Sequence, residues 1–339
     1  MKIMLVGGGS GGHLTPIIAV ASSIKAQDGS IDILHVGQKG EDLQEVIDNP
    51  VVDQAFHISA GKFRRYHGES FISHLFDFKT IALNVRDVFR VGMGVAQAWR
   101  LLGREKPDVI MLKGGFVCVP LGYAARFRNI PYITHDSDAI PGLANRLTAA
   151  HAIKNTTALP AKGYPYDQSK TVQVGVPLQP QFAKKVTAAD KKRWRKDLDI
   201  APNARVVFSV GGGLGAQVLN QGLVKASNTI LDNEDTVIIH LTGKKLYQET
   251  LDMHQNTLTQ EALERVRVID FSTDLYMLSG AADVVITRAG ATNIAEFAAQ
   301  AKPIIAVPAP HLTGGQQLHN AAVLEKHEAA VLLQEVQLS

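Results

Sequence analysis

Residues 283–320, DVVITRAGATNIAEFAAQAKPIIAVPAPHLTGGQQLHN, decide the fold of this chain. Two mainly β-branched, apolar runs, 283–287 and 303–307, are bounded by Gly and Pro, as is typical of parallel strands buried on both faces. A loop and then a helical pattern follow each run; the first predicted helix carries Glu296, and the second begins at Gln316. The stretch therefore predicts two consecutive strand-loop-helix units of a parallel sheet.

Ligands of such sheets bind beyond the carboxyl ends of the strands. This rule gathers Arg288, Gly290, Thr292, Glu296, Gln316, Gln317 and Asn320 around one crevice. A helix start offers N–H groups and a positive dipole end to an anion, and a carboxylate on that helix can accept two hydrogen bonds from a ribose diol. The pattern favours a nucleotide site; the alternative is an ordinary αβ unit whose Glu296 is solvated.

The composition indicates a protein of two domains, because 339 residues that are 45% hydrophobic suffice for two separate cores. The formal charge of +3 is too small to favour nucleic acid, although it suits an anionic nucleotide or membrane surface. Cys118 is the only cysteine, which excludes an intrachain disulfide and predicts a reducing compartment. We expect no signal peptide and no membrane span, since no apolar run approaches about 20 residues.

The chain opens with a predicted strand (2–6), the glycine loop GGGSGG (7–12), His13 and a predicted helix (14–26) with Pro16 in its first turn. The loop contains G-x-G-x-x-G, which also occurs in dinucleotide-binding proteins. That motif requires an acid at the end of the second strand, whereas the predicted strand 31–36 ends in GQK. We therefore disfavour nicotinamide and flavin cofactors. For His13, the structural alternative is a helix cap.

Further strands are predicted at 108–112 and 132–135, each before a polar or glycine-rich loop and a helix. This alternation predicts a doubly wound α/β domain. The second loop contains His135, Asp136 and Asp138, which could be interpreted as metal ligands. Their spacing is nonspecific, so we expect no metal.

Basic and aromatic residues are mixed between 61 and 104. The loop 61–68 contains Lys62, Arg64 and Arg65, and the predicted helix after it alternates Phe and Trp with Arg. Such a helix can lie in a membrane interface. The alternative is a core helix with a solvated cationic face.

A Pro- and Gly-rich run suggests a division into a first domain (1–159), a linker (160–171) and a second domain (172–339). The basic helix predicted at 184–198 is expected to be solvated. The strand predicted at 205–210 and the glycine loop 211–216 repeat the order that opens the chain. The sequence thus predicts two Rossmann-like domains facing a cleft.

Five motifs resemble those of the MurG family. Residues 8–13 (GGSGGH) are similar to its GGTGGH, 114–120 (GGFVCVP) to its GGYVSGP, and 211–220 (GGGLGAQVLN) to its GGSQGARxLN. Residues 288–296 and 316–320 resemble its donor-binding signature. Members are bacterial transferases that move N-acetylglucosamine from a UDP-sugar onto a lipid-linked muramyl-peptide.

The resemblance implies an inverting hexosyltransferase of GT-B fold, without cofactor or metal, at the cytoplasmic face of the membrane. It implies UDP-N-acetylglucosamine, an undecaprenyl-linked muramyl-peptide and an anionic membrane surface as partners, and no nucleic acid. Donor residues would be Ser10, Gly11, Gly12, Asp138, Gln179, Gly213, Ala291, Thr292, Asn293, Glu296, Gln316, Gln317 and Asn320. Acceptor residues would be Gly11, Gly12, His13, Gly114, Gly115, His135 and Asp138. His13 would be the catalytic base or a ligand of the acceptor diphosphate.

The chain departs from the family pattern in several places. The family's HEQN is HDSD at 135–138, its GNPVR has lost Asn and Arg at Val176 and Gln179, and Ser-Gln of the third motif is Gly213-Leu214. Family members also continue into a closing helix beyond residue 339, so we expect either a fragment or a chain without that helix. Two alternatives stay open: another lipid or small-molecule acceptor, and a non-catalytic nucleotide-sugar-binding subunit.

Overall fold

The computed structural model describes residues 1–8, 11–41, 44–61, 78–310 and 315–338. The chain forms two compact units, Met1–Pro180 and Gln181–Ser339. Each unit is an α/β domain around one parallel sheet.

The first unit has a seven-stranded sheet in the order β3-β2-β1-β4-β5-β6-β7. Its strands are β1 (Lys2–Gly7), β2 (Asp32–Gln38), β3 (Gln54–Ile58), β4 (Val109–Gly114), β5 (Tyr132–Asp136), β6 (Lys154–Thr157) and β7 (Thr171–Gln173). Alternate residues of these strands enter two apolar clusters, as a sheet covered on both faces requires: Leu112 belongs to one, and Met111 to the other.

The described helices of this unit lie between the strands. They are α1 (Gly11–Gln27), α2 (Gln44–Ile47), α3 (Phe78–Glu105), α4 (Cys118–Phe127) and α5 (Leu143–Thr148), with short 3-10 turns at Ala149–His151 and Ala161–Gly163. Helix α3 packs along α4, and the Arg128 guanidinium lies 4.1 Å from the centre of the Trp99 ring near one end. Among the described helices, none is long and apolar enough to cross a bilayer.

The second unit has a six-stranded sheet in the order β10-β9-β8-β11-β12-β13. Its strands are β8 (Arg205–Val210), β9 (Thr236–Leu241), β10 (Val266–Ile269), β11 (Val284–Thr287), β12 (Ile304–Ala306) and β13 (Ala330–Leu332). Its described helices are α6 (Ala188–Asp197), α7 (Gln217–Leu231), α8 (Tyr247–Thr257), α9 (Gln260–Leu263), α10 (Leu275–Ala281), α11 (Ala291–Ala299) and α12 (Gln316–Lys326). 3-10 turns occupy Pro180–Ala183 and Glu335–Leu338.

The two sheets confirm the predicted fold class, whereas three local predictions need correction. Helix α1 begins at Gly11, so Pro16 lies beyond its first turn. Strand β7 pairs with β6, and the first unit therefore runs to Pro180 instead of closing near residue 159. Helix α6 is not merely solvated, because its Arg195 is buried and bonds to Ala281 O and Asp283.

Candidate functional site

The strand orders place one topological switch point in each unit. In the first sheet the order reverses between β1 and β4, and in the second between β8 and β11. The described residues that directly follow these four strands are Gly8, 115–117, 211–216 and 288–290. Because ligands of open parallel sheets bind where the order reverses, these loops define two candidate subsites.

Glycines in the first subsite are required by close backbone approach. A Cβ at Gly115 would lie 2.5 Å from Gly8 O, and one at Gly114 would lie 3.1 Å from the His13 ring. Both glycines have positive φ, 117° at Gly114 and 87° at Gly115. A side chain at either position would be strained and would displace the β1 loop or His13.

His13 lies in the first turn of α1 with its ring against Gly114. The residue is partly exposed, but its Nδ1 is buried without a hydrogen-bond partner. Burial, and then the positive charge of Lys113, lower the pKa of His13 to about 3. The imidazole is therefore neutral at physiological pH, and its unpartnered Nδ1 is the free polar atom of the ring.

Lys113 is the buried cation of this subsite, with 2% of its surface exposed. Burial lowers the pKa of its ammonium group, whereas the charges of Asp138 and Asp136 raise it. Two carboxylates here would repel an anionic substrate unless a cation opposed them. Lys113 supplies the opposing charge.

His135 is fully buried at the end of β5, and both ring nitrogens have partners. Thr156 Oγ1 donates to Thr134 O, so it accepts from His135 Nδ1 at 3.0 Å; the Nε2 atom then accepts from Ser137 Oγ at 3.3 Å. Burial, followed by the Lys113 charge, lowers the pKa of His135 to about 3. His135 thus anchors the start of the loop after β5 through Ser137.

Other polar groups around this subsite make hydrogen bonds within the protein. Asp136 accepts from Tyr166 Oη at 2.6 Å and from Gly142 N at 3.2 Å, and burial raises its pKa. Tyr164 Oη donates to Asp138 O at 2.8 Å. Burial raises the pKa of the Cys118 thiol to about 12, so that thiol stays protonated and donates to Gly114 O.

The second subsite begins at the glycine loop after β8. Gly215 has a φ of 77°, and a Cβ there would collide with Thr242 O, so this glycine is required. Gly213 is exposed with open space around it, and Leu214 is 81% exposed. The loop therefore offers backbone and one apolar side chain to a ligand.

A buried polar network lies beneath this loop. Asn220 donates to Thr242 O at 3.1 Å and accepts from His240 Nε2 at 3.1 Å. The other nitrogen of His240, Nδ1, then accepts from His254 Nε2 at 3.0 Å. The network joins α7, β9 and α8, and fixes Thr242, against which Gly215 packs.

This network makes the second unit sensitive to acid. Burial lowers the pKa of His254 to about 4, and burial together with the neighbouring His254 lowers that of His240 to about 3. Both values lie below the ordinary 6.5, so the unfolded chain binds more protons as pH falls below 6.5. The free energy of unfolding is therefore expected to fall between pH 6.5 and about 4, and less steeply in His254→Gln. Urea denaturation at several pH values measures how the free energy of unfolding of each protein changes with pH, and His327→Gln, which alters an exposed histidine, is the control. The same pH dependence in wild type and His254→Gln would contradict the assignment of this effect to the buried His240–His254 pair.

Helix α11 carries the central part of the predicted donor signature. Its start follows Gly290, which offers no side-chain cap, and its first residues Ala291, Thr292 and Asn293 are partly exposed. Glu296 lies in the second turn with 3% of its surface exposed, and burial raises its pKa to about 8. An uncapped helix start can receive an anion, and a buried carboxyl beside it can bind hydroxyl groups.

Three other residues of the signature serve the fold. Asn320 Nδ2 donates to Ala289 O at 3.1 Å, and Gln317 Oε1 accepts from Ala309 N at 2.9 Å. Arg288 is buried, and its Nη1 donates to Val307 O at 3.1 Å. These bonds hold the loops after β11 and β12 together, whereas Gln316 is partly exposed at the start of α12.

Sequence reasoning missed Lys113 of the first subsite and an exposed aromatic residue after strand β10 of the second sheet. Lys113 was passed over as part of a loop, although a lysine at the end of the apolar run VIML is itself a signal. Phe271 follows β10 and is 44% exposed, with Lys244 Nζ 4.7 Å from the centre of its ring. An exposed aromatic ring beyond the carboxyl ends of the strands can stack on a nucleobase.

The predicted donor residues are divided between the two units. Ser10 lies outside the described residues, and Gly11 is the first residue of α1. Gly12, Asp138 and Gln179 belong to the first unit, whereas the residues on α11 and α12 belong to the second. Gln179 is partly exposed near the end of its unit.

Two domain models of one family match this chain, one in each unit. Residues 3–156 match the glycosyltransferase family 28 N-terminal domain, and residues 206–339 match the family's C-terminal domain. The chain is 34% identical to a Clostridium perfringens protein named UDP-N-acetylglucosamine--N-acetylmuramyl-(pentapeptide) pyrophosphoryl-undecaprenol N-acetylglucosamine transferase, over 100% of this chain and 87% of the relative. The chain belongs to the MurG family. It is therefore a glycosyltransferase of family 28.

One further relative carries the same name, and two solved structures share the fold. A Desulforudis audaxviator protein with the same name is 31% identical over 100% of this chain and 87% of the relative. The crystal structure of Acinetobacter baumannii MurG shares the fold, with a TM-score of 0.69, 22% identity and coverage of 100% and 87%. A UDP-GlcNAc 2-epimerase from Methanocaldococcus jannaschii also shares it, with a TM-score of 0.60, 16% identity and coverage of 100% and 90%.

Proposed function

We propose that this chain transfers N-acetylglucosamine from UDP-N-acetylglucosamine to an undecaprenyl-linked muramyl-peptide, with inversion at the anomeric carbon. The named relatives act on this pair of substrates, and both family domains are present. Donor binding falls to the second unit and acceptor binding to the first. No cofactor or metal is part of the proposal, and among the described residues no cluster could hold a metal ion.

The observation that carries the donor assignment is the burial of Glu296 beside the uncapped start of α11. Burying a carboxyl is costly, and a carboxyl whose pKa is raised this strongly is often part of a ligand site. The helix start suits the diphosphate and the carboxyl suits the ribose hydroxyls. Both stand at the switch point of the second sheet.

The acceptor assignment rests on His13. Its imidazole is neutral, lies in the first turn of α1 and has an unpartnered Nδ1. In the proposed reaction it removes the proton from the attacking hydroxyl, while UDP leaves with its charge stabilised by N–H groups in the donor subsite. Lys113 offsets the acids at 136 and 138, so an anionic diphosphate can approach.

We further propose that the chain is a peripheral protein of the cytoplasmic membrane face, bound through α3. Apolar residues at helical spacing are exposed there: Val85 (53%), Val88 (56%), Phe89 (74%) and Met93 (51%). Arg86 and Arg90 flank them and pair with the buried Asp87 at 3.2 and 3.5 Å. An exposed apolar stripe beside cations suits an anionic bilayer surface. Lys62, Arg64 and Arg65, which the sequence also assigns to this surface, lie outside the described residues.

Vesicle binding tests this surface. Phe89→Ser combined with Met93→Ser is expected to reduce binding to anionic vesicles about tenfold or more, because burying one such side chain contributes roughly 2 kcal/mol. Added salt is expected to weaken binding as well, since it screens the arginines over about 8 Å. Sedimentation with phosphatidylglycerol vesicles measures both effects.

The control is Phe127→Ser, which removes a phenylalanine that is 62% exposed at the C-terminal end of α4. Equal loss of binding in the control and the α3 variant would make the effect nonspecific. Vesicles that never bind the wild-type chain would contradict the membrane proposal.

UDP release separates the proposed function from its alternatives. We expect release from UDP-N-acetylglucosamine to require a lipid-linked muramyl-peptide. Release with a different lipid or a small aglycone alone would indicate another acceptor. Tight UDP binding without release in any acceptor panel would indicate a non-catalytic nucleotide-sugar-binding subunit.

A further inference from the structure

The 3-10 turn Glu335–Leu338, here called the C-terminal turn, contacts both sides of the donor subsite. Glu335 Oε1 lies 2.5 Å from Arg288 Nη1, and the two side chains are only 21% and 10% exposed. Arg288 opens the loop that leads into α11. One end of the turn is thus joined to the β11 side of the switch point.

The other end of the turn packs on α7, the helix that follows the β8 glycine loop. Gly222 on α7 is buried, and a Cβ there would lie 3.1 Å from three carbons of Leu338. The absence of a side chain at Gly222 therefore makes room for Leu338. The turn is also closed internally, because Gln337 Oε1 accepts from Gln334 N at 2.7 Å.

These contacts engage the Arg288 guanidinium group within the protein, so it is not assigned to ligand binding. Its Nη1 donates to Val307 O at 3.1 Å and pairs with Glu335, and the residue is 8% exposed. A buried guanidinium needs such partners, since an unpaired buried charge is strongly destabilising. The backbone of the 288–290 loop is consequently fixed through its own side chain.

We propose that the C-terminal turn is a clip that sets the geometry of the donor subsite, with Glu335 as the positioning residue. The clip fixes the loop before α11 through Arg288 and the helix after the β8 glycine loop through Leu338. It touches no substrate itself. The proposal deepens the donor assignment above and rests on it, because its effect is expressed in UDP-sugar affinity.

Two variants test the clip from its two ends. Glu335→Gln and Leu338→Ala are each expected to raise the Kd for UDP and the KM for UDP-N-acetylglucosamine about tenfold, the size typical of coupled residues. The kcat and the KM for the acceptor are expected to stay within about twofold, since positioning of the donor loop affects donor binding alone. Calorimetry with UDP and steady-state kinetics measure these values.

Controls distinguish positioning from general loss of structure. Glu325→Gln removes an exposed carboxylate on α12 and is expected to leave UDP affinity unchanged. Combining Glu335→Gln with Arg288→Met is expected to reduce UDP affinity no further than Arg288→Met alone, because each substitution removes the same Arg288–Glu335 ion pair. A drop in kcat that parallels a lower Tm would show a merely structural role and overturn the proposal.

The outcomes also separate this inference from the proposed function. Unchanged UDP affinity in both clip variants of a chain that binds UDP would overturn the clip alone. Tighter binding in Glu335→Gln would show that a released Arg288 contacts the diphosphate, and would also overturn it. A wild-type chain that binds no UDP would overturn the donor assignment, and the clip with it.

Discussion

His13→Ala is expected to lower turnover about 100-fold or more while UDP affinity stays near the wild-type value. One positioned acid–base group contributes about that much to the rate. The imidazole belongs to the first unit, whereas the residues on α11 and α12 that are proposed to bind the donor belong to the second. Single-turnover kinetics and calorimetry with UDP measure the two quantities separately.

The pH dependence of the wild-type rate adds a second check on His13. Because the pKa of His13 is lowered to about 3, the neutral base is present well below the range in which an ordinary histidine titrates. With donor saturating, kcat/KM for the acceptor is expected to show no acid limb near pH 6.5.

For the His13→Ala experiment, the control is His151→Ala, which alters an exposed histidine of the same unit and is expected to behave as wild type. Loss of UDP affinity in His13→Ala equal to the loss of turnover would move His13 to the donor subsite.

Glu296→Ala is expected to weaken UDP binding by about 1–3 kcal/mol, the usual cost of leaving buried polar groups unpaired. Burial raises the pKa of Glu296 to about 8, so the carboxyl of the free protein is mostly protonated at pH 7. A ribose diol that donates two hydrogen bonds favours the ionised form. UDP binding at pH 7 is therefore expected to release close to one proton, and affinity is expected to rise with pH up to about 8.

The raised pKa of Glu296 makes the free energy of unfolding fall as pH rises, whereas UDP affinity is expected to rise. The pKa of Glu296 is raised from 4.5 to about 8 on folding, so the folded chain binds the extra proton between these values. The stabilisation that this raised pKa contributes is fully present below pH 4.5 and is lost as pH rises through about 8. In Glu296→Gln this loss is expected to disappear, and so is proton release on UDP binding.

Calorimetry in buffers of different ionisation enthalpy measures proton release directly. Glu261→Gln, an exposed glutamate on α9, is the matched control and is expected to behave as wild type. Unchanged UDP affinity in Glu296→Ala would remove the carboxyl from the donor subsite. Equal proton release in wild type and Glu296→Gln would show that another group titrates.

Local patterns in the sequence were enough to predict the doubly wound fold and the main loops. Strand β8 has the predicted bounds, 205–210, because it is rich in Val and Phe and is followed directly by Gly211. Strand β7 was not predicted as part of the first sheet, since only Thr171 of its three residues is buried. Its place depends on pairing with β6, which sequence periodicity does not reveal.

The site was predictable at the level of loops, but not in the use of each side chain. An amide in a donor signature can face a ligand or the backbone, and Asn320 and Gln317 prove to bond to backbone groups. The electrostatic partners of Lys113 and the pairing of Arg288 with Glu335 join distant parts of the chain. Such contacts appear only once the fold brings the residues together.

The central claim is transfer of N-acetylglucosamine to a lipid-linked muramyl-peptide, and one measurement tests it most directly. Wild-type protein is incubated with labelled UDP-N-acetylglucosamine and undecaprenyl-linked muramyl-pentapeptide, and the label in the lipid fraction is counted. We predict incorporation that requires both substrates and falls about 100-fold or more in His13→Ala. No label in the lipid fraction, from a folded chain that binds UDP, would contradict the proposed function.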